Sequence, residues 1–126
     1  MTISKILSNL RWPFFLAYAV FLYIAFTLPV EQIPASVYQI NDKLLHFLSF
    51  LIFALLAFQA FSHSASRVFS AYAESKSSVL SLSYGAFLEM IQKTTPGRIA
   101  SINDWLADAL GVLTAFLLFL FQKTKP

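Results

Sequence analysis

Four apolar stretches, each close to the length that crosses a bilayer, constrain this chain more than any other feature. They cover residues 12–30, 44–61, 77–92 and 105–121, and the third is short and rich in serine. A helix needs roughly 17–25 residues to cross a hydrocarbon core of about 30 Å. In lipid, only helices and closed barrels satisfy every backbone polar group. The sequence therefore predicts an all-α, polytopic membrane protein: a compact bundle of four transmembrane helices forming one domain over residues 1–126.

The composition supports a membrane class and excludes several functions. Hydrophobic residues make up 58% of the chain and charged residues only 12%, which is about half the usual charged share of a soluble domain. Lysine and arginine occur singly, without a basic stripe, so a nucleic-acid partner is excluded and the lipid bilayer is the expected surrounding. The absence of cysteine excludes disulfides and thiol catalysis.

The loop charges predict an orientation. An even number of spans puts both termini and the second loop on one side, with one acid, Glu74, and six basic residues: Lys5, Arg11, Arg67, Lys76, Lys123 and Lys125. The other side has three basic residues and five acids. By the positive-inside rule both termini are cytoplasmic. The apolar run over 14–28 is longer than a signal-peptide core and no A-x-A site follows it, so we expect an uncleaved first span.

Polar residues gather at the span ends that face outward in this topology. Ionisable groups at membrane depth almost always face a bundle interior or water, and pair there. We therefore expect one shallow, outward-facing pocket. Its candidate ligand-binding residues are Asp42, His46, Glu89, Gln92, Arg98, Ser101, Asp104 and Asp108.

Two of the helix starts have capping signals. Asn41 is a predicted N-cap of the second span. Ser101 and Asp104 form a pattern like a capping box, in which the hydroxyl accepts a free N–H and the acid lies at the positive helix end. Asp108 lies beyond the reach of that dipole and needs another partner. Gly111 continues its face, where a small residue lets a neighbouring helix approach closely.

Ordinary structural roles remain open for the other ionisable residues. His46 is also compatible with a neutral histidine bonded to Asp42, four residues earlier on the same helix face. Glu89 has Arg98 and Lys93 as nearby cationic partners in the sequence. Arg98, which follows a Pro-Gly pair, is also typical of a cation that snorkels to the membrane interface.

Three motifs resemble the VanZ-like family of small bacterial membrane proteins. They are DKLLHF at 42–47, EMIQKTTPGR at 89–98 and SINDWLADALG at 101–111. They match the family pattern in order and spacing, across spans two to four. Asp108 departs from that pattern, since the family usually has asparagine there. An amide both donates and accepts, whereas a carboxylate only accepts unless protonated.

The resemblance implies a multi-pass protein of the bacterial inner (cytoplasmic) membrane, belonging to the cell envelope. The family's namesake is linked to resistance to teicoplanin, a glycopeptide antibiotic that binds cell-wall precursors outside the membrane. A resistance-related function is therefore expected from the resemblance. It implies no particular reaction, and the oligomeric state is undetermined.

Three kinds of function stay open. The first is a binding module for an anionic lipid head group or a lipid-linked cell-wall precursor, with Arg98 contacting phosphate or carboxylate. Gln92 and Ser101 would donate hydrogen bonds to the same ligand, although the nearby acids oppose a simple anion site.

The second is a metal-assisted intramembrane hydrolase or transferase acting on a lipid head group, so enzymatic activity is undecided. The chain contains no complete metal signature such as H-E-x-x-H, and no cofactor other than a divalent cation is expected. The candidate ligands for that cation are His46, Glu89 and Asp104. The third function is a structural or partner-binding bundle without a ligand. Ion transport is a minor fourth, because no polar relay leads to the inside.

Overall fold

The computed structural model describes residues 2–38 and 40–124, and the longer elements of that part of the chain are all α-helices. No strand occurs in these ranges. Lys125, counted above among the cytoplasmic charges, lies outside the described residues. A short 3-10 turn covers Val30–Gln32. The helices are α1 (Ile3–Asn9), α2 (Arg11–Thr27), α3 (Ala35–Tyr38), α4 (Asp42–Ser62), α5 (Arg67–Ser70), α6 (Ala73–Gln92) and α7 (Ile102–Thr124).

Two of these helices are long and apolar enough to cross a membrane: α4 over its 21 residues and α7 over the 22 residues Ile102–Lys123. α1 and α2 meet at a bend of 42° and together give a third candidate span. Two or three such helices fit a membrane protein. The second and fourth predicted spans, 44–61 and 105–121, fall within α4 and α7.

The first predicted span, 12–30, ends earlier in the structure. α2 stops at Thr27, and Leu28 is extended with ψ at 138°. The ring of a proline disfavours helical backbone at the residue before it, and Pro29 follows directly. The boundary at residue 30 was therefore wrong by three residues, for a reason that is visible in the sequence.

α6 has the length of a span but not the hydropathy of α4 and α7. Its buried serines nevertheless suit an apolar surrounding, because their hydroxyls donate to carbonyls within the helix. Ser78 donates to the carbonyl of Glu74 at 2.7 Å, and Ser81 donates to that of Ser77 at 2.7 Å. Ser77 and Ser81 are completely buried, so this face of α6 packs against the other helices.

The four long helices alternate in direction. Phe26 near the end of α2 contacts the ring of His46 near the start of α4, while Trp12 at the start of α2 stacks on Phe61 at the end of α4. By the same argument α6 is antiparallel to α7, because Lys123 of α7 reaches the beginning of α6. Between the ends lies an aromatic core, with Phe50, Phe53, Phe119, Leu22 and Val112 almost inaccessible.

One ion pair joins α6 and α7 at the end of the bundle opposite the polar motifs. Lys123 Nζ lies 2.5 Å from Glu74 Oε1. The neighbouring ammonium holds the pKa of Glu74 below its usual value. Both side chains are at helix termini and the lysine is more than half exposed, so this pair contributes little to stability.

Close packing of α4 on α7 is the most extensive helix contact, and Gly111 makes it possible. A β-carbon there would be 2.9 Å from the amide nitrogen of Leu51 and would overlap the carbonyl of Phe47. Asp108 and Ala115, one turn before and after, are fully buried. The predicted bundle-facing stripe on this helix is therefore confirmed.

Gly111→Ala should destabilise the protein by about 1–3 kcal/mol, as overpacked cores generally do. The added methyl group must push apart two backbones, which cannot rotate away as a side chain can. Thermal unfolding of the purified protein in detergent checks this. Leu110→Ala, at an exposed position beside it, is the matched control. Equal midpoints for the two variants would show that the helices have room to separate.

Candidate functional site

The start of α4 is fixed by its predicted cap. Asn41 Oδ1 accepts from the backbone N–H of Lys43 at 2.9 Å and of Leu44 at 3.2 Å, as the sequence indicated. The cap sets the depth at which the first two turns enter the bundle. Asp42 remains exposed there, whereas His46, one turn further, is only 3% exposed.

The start of α7 is capped differently from a full capping box. Ser101 Oγ accepts from the N–H of Asn103 at 3.0 Å, which confirms half of the pattern. The N–H of Ser101, however, donates to Glu89 Oε2 at 3.2 Å and not to Asp104. α6 therefore supplies the carboxylate that completes the cap. The predicted pairing of Glu89 with Arg98 or Lys93 does not occur among these contacts.

Asp104 is consequently available for a different partner. Its Oδ1 accepts a close hydrogen bond from Lys43 Nζ, and Asp104 is only 4% exposed. Lys43 was not among the predicted site residues. Its position next to Asp42 in the motif at 42–47 was the available signal. A helical projection shows neighbours within one helix and could not show that Lys43 reaches across to α7.

Asp108 obtains its partner from α4. Its Oδ1 lies 2.8 Å from His46 Nδ1, and both side chains are almost fully buried. The alternative pairing of His46 with Asp42 is not a hydrogen bond, because those atoms are 3.9 Å apart. Gly85 of α6 provides the space: a β-carbon there would lie 3.1 Å from Asp108 Oδ2.

Arg98 does not bind these carboxylates among the described contacts. Its Nε donates to the carbonyl of Leu28 at 3.0 Å and its Nη2 to that of Ala25 at 2.8 Å. The guanidinium thus satisfies carbonyls that the end of α2 leaves without helical partners. Arg98 nevertheless lines one groove with Asp42, so the single pocket stays a prediction. Gln92 is buried on α6, one turn beyond Glu89.

Two groups of side chains have the geometry to hold a metal ion, and His46 belongs to both. One group is Asp42, His46 and Asp104, and the other is His46, Glu89 and Asp108. Within each group the ligand atoms lie within 4.8 Å of one another. The predicted ligands His46, Glu89 and Asp104 are thus divided between two neighbouring positions.

Two grooves flank this cluster. One, of about 510 Å³, lies between α6 and α7 and includes Glu89, Lys93 and Trp105. The other, of about 460 Å³, lies between α2, α4 and the intervening loop. Its lining residues are Phe21, Leu22, Ala25, Phe26, Leu28, Ile33, Pro34, Val37, Ile40, Asp42, Leu45, Ser49 and Arg98.

Residues of all three motifs thus meet around one histidine, and the comparison with known families agrees with them. A family model described as VanZ/LLP1 matches residues 3–123, nearly the whole chain. The chain belongs to the VanZ/LLP1 family. No curated protein and no solved structure matches it. In this VanZ/LLP1 protein, Asp42, His46, Glu89 and Asp104 carry much of the motif similarity and are also the residues that the fold brings together.

Asp108→Ala should destabilise the protein by about 1–3 kcal/mol, the usual cost of leaving a buried polar group without a partner. Asp108→Asn should cost less, because the amide oxygen still accepts from His46 Nδ1. Unfolding in detergent measures both. A cycle with His46→Ala should give a coupling energy of about 0.5–3 kcal/mol. Additive effects of the two alanine substitutions would contradict the pairing.

Proposed function

We propose that this VanZ/LLP1 protein is a four-span protein of the bacterial inner membrane that binds an amphiphile with an anionic head group at its outer face. A lipid-linked cell-wall precursor or an anionic lipid is the ligand class. Such binding would connect the protein to glycopeptide (teicoplanin) resistance, as the sequence resemblance implies.

The observation that carries this proposal is the composition of the groove between α2 and α4. Ten of its thirteen lining residues are apolar, and the other three are Asp42, Ser49 and Arg98. Phe21 and Ile40 at its wall are exposed, so acyl or prenyl chains have access from the side. A groove that is apolar with a few polar groups suits a molecule with a long tail and a small head.

Arg98 is the group that would recognise the anion. Its contacts with the carbonyls of Ala25 and Leu28 hold the guanidinium at this groove. Guanidinium matches the geometry of phosphate and carboxylate, and it stays charged at any physiological pH. Gln92 and Ser101 were predicted to donate hydrogen bonds to the same ligand, but neither lines the groove. Ser101 instead caps α7.

The helix directions support four spans with both termini inside. The ends of α4 and α7 that carry the polar motifs lie together, and α6 connects the far end of α4 to that same end of α7. α6 therefore travels the length of the bundle between two apolar helices. The excess of basic residues at the far end favours the cytoplasm for that side, which turns the polar cluster outward.

A metal-assisted hydrolase or transferase is the second candidate, and one observation favours it. Asp42 lines the groove and also belongs to a potential metal-ligand group with His46 and Asp104. A cation bound there would lie beside the head group of a ligand in the groove. It would also offset the negative charge that opposes anion binding.

Ala25→Phe should reduce binding of a polyprenyl phosphate at least tenfold, because the added ring fills the groove. Native mass spectrometry in detergent can measure the bound fraction. Val20→Phe, at an exposed position of α2 outside the groove, is the matched control and should bind normally. Arg98→Gln should abolish the preference for polyprenyl phosphate over uncharged polyprenol. Equal binding by the two phenylalanine variants would refute the groove as the site.

The chain contains no cysteine, so single-cysteine variants test the topology directly. In intact spheroplasts, a membrane-impermeant maleimide should label Thr94→Cys, at the polar end of the bundle. It should label Ser66→Cys, in the loop before α6, only after permeabilisation. Both positions are exposed. Labelling of both from the same side would mean that α6 does not span the membrane.

A further inference from the structure

We propose that Asp42, His46 and Asp104 form a binding site for one divalent transition-metal ion of the Zn²⁺ type, with Asp108 orienting the histidine. The site rests on the geometry of these four side chains. It does not depend on amphiphile binding in the neighbouring groove.

The hydrogen bond with Asp108 determines the tautomer of His46. An ionised carboxylate only accepts hydrogen bonds, so the 2.8 Å contact with Asp108 puts the proton of a neutral imidazole on Nδ1. The lone pair is then on Nε2. Histidine ligands of metals are usually oriented in this way, through a carboxylate or carbonyl on the other ring nitrogen.

Two carboxylate oxygens lie near Nε2. It is 3.9 Å from Asp42 Oδ1 and 3.9 Å from Asp104 Oδ2, which is too long for a hydrogen bond. Nε2 has no other described hydrogen bond, and it is accessible to water, since no buried side-chain nitrogen or oxygen of the described residues lacks a partner. Three electron-pair donors thus face one gap. A proton on Nε2 would bond to neither carboxylate at this distance, whereas a metal ion would contact all three.

The spacing suits such an ion after small side-chain rotations. Metal–ligand distances of about 2.1 Å with tetrahedral angles need about 3.4 Å between ligand atoms. The two 3.9 Å separations from Nε2 must therefore shorten by roughly half an ångström, and the two carboxylate oxygens, which lie within 4.8 Å of each other, must approach to a similar distance. Asp42 is at the exposed first turn of α4, where its Oδ2 lies 3.7 Å from Lys43 Nζ, so its Oδ1 can turn towards the imidazole while that ion pair is kept. Asp104 is already oriented, because Lys43 binds its Oδ1 and directs Oδ2 towards the imidazole.

Charge balance favours a dication over no ion. The cluster contains one ammonium, from Lys43, and four carboxylates, from Asp42, Glu89, Asp104 and Asp108. With every carboxylate ionised and the histidine neutral, the formal charge of the cluster is −3. A divalent ion reduces this to −1. Three of the four acids are buried, where uncompensated charge is most costly.

The ligand set selects the kind of metal and leaves room for a further ligand. Imidazole nitrogen favours zinc and related ions over magnesium and calcium, which prefer all-oxygen sites. Three protein ligands leave at least one position open, as in catalytic zinc sites. The competing group with Glu89 is disfavoured, since it needs His46 Nδ1, which Asp108 already occupies.

The test uses the full chain, purified in detergent, stripped with EDTA and dialysed. Zn²⁺ binding is measured by elemental analysis and by competition with a chromophoric chelator. We expect one Zn²⁺ per chain, and at least tenfold weaker binding in Asp42→Asn. Asp42 is suited to this purpose, because its side chain is 64% exposed and the variant should fold. Glu31→Gln, an exposed acid at the same end of the bundle, is the matched control and should bind normally.

Substitutions at two further residues make the assignment specific. Asp108→Ala should weaken Zn²⁺ binding about tenfold, the lower range for loss of a group that orients a metal ligand, whereas Asp108→Asn, whose amide oxygen still accepts from His46 Nδ1, should weaken it less. Glu89→Gln should weaken it less than Asp42→Asn does. Fewer than about 0.1 ions per chain at saturating Zn²⁺ would overturn the proposal. Binding lost in Glu89→Gln but intact in Asp42→Asn would overturn this ligand set in favour of the other group.

Discussion

The hydrogen bond between His46 and Asp108 is the contact on which the polar end of this bundle depends. Both groups are buried on apolar helices, where an unpaired ionisable side chain is costly. Pairing them fixes the rotation and depth of α4 relative to α7. The two glycines on either side serve the same contact: Gly111 allows the backbones to approach, and Gly85 leaves room for the carboxylate.

Around this pair, each of two other polar contacts connects two helices. Glu89 of α6 accepts from the N–H of Ser101, directly before α7, and Lys43 of α4 reaches Asp104 of α7. Local caps at Asn41 and Ser101 are therefore supplemented by contacts that join different helices. These contacts hold the start of α4, the end of α6 and the start of α7 together.

The functional proposals follow from an imbalance of charge, since the fold brings together more acids than cations. Lys43 offsets one of four clustered acids, and Arg98 lies at the adjoining groove, bonded to the end of α2. Asp42 belongs to both regions. A cation among the carboxylates would make an anionic head group acceptable in the groove. The two proposals are thus mutually supportive, although each has its own physical basis and its own test.

Local features of the sequence predicted the helices and their caps, and tertiary structure decided the partners. Hydropathy depends on one continuous segment and capping on a single turn, so the membrane-compatible helices and the starts of α4 and α7 were recognisable. Even the early end of α2 was encoded locally, by Pro29. The pairs of His46 with Asp108 and of Lys43 with Asp104 join residues about 60 positions apart. Which of several acids meets the histidine depends on how two helices rotate and how closely glycine lets them pack, and periodicity within a single helix carries no information about either.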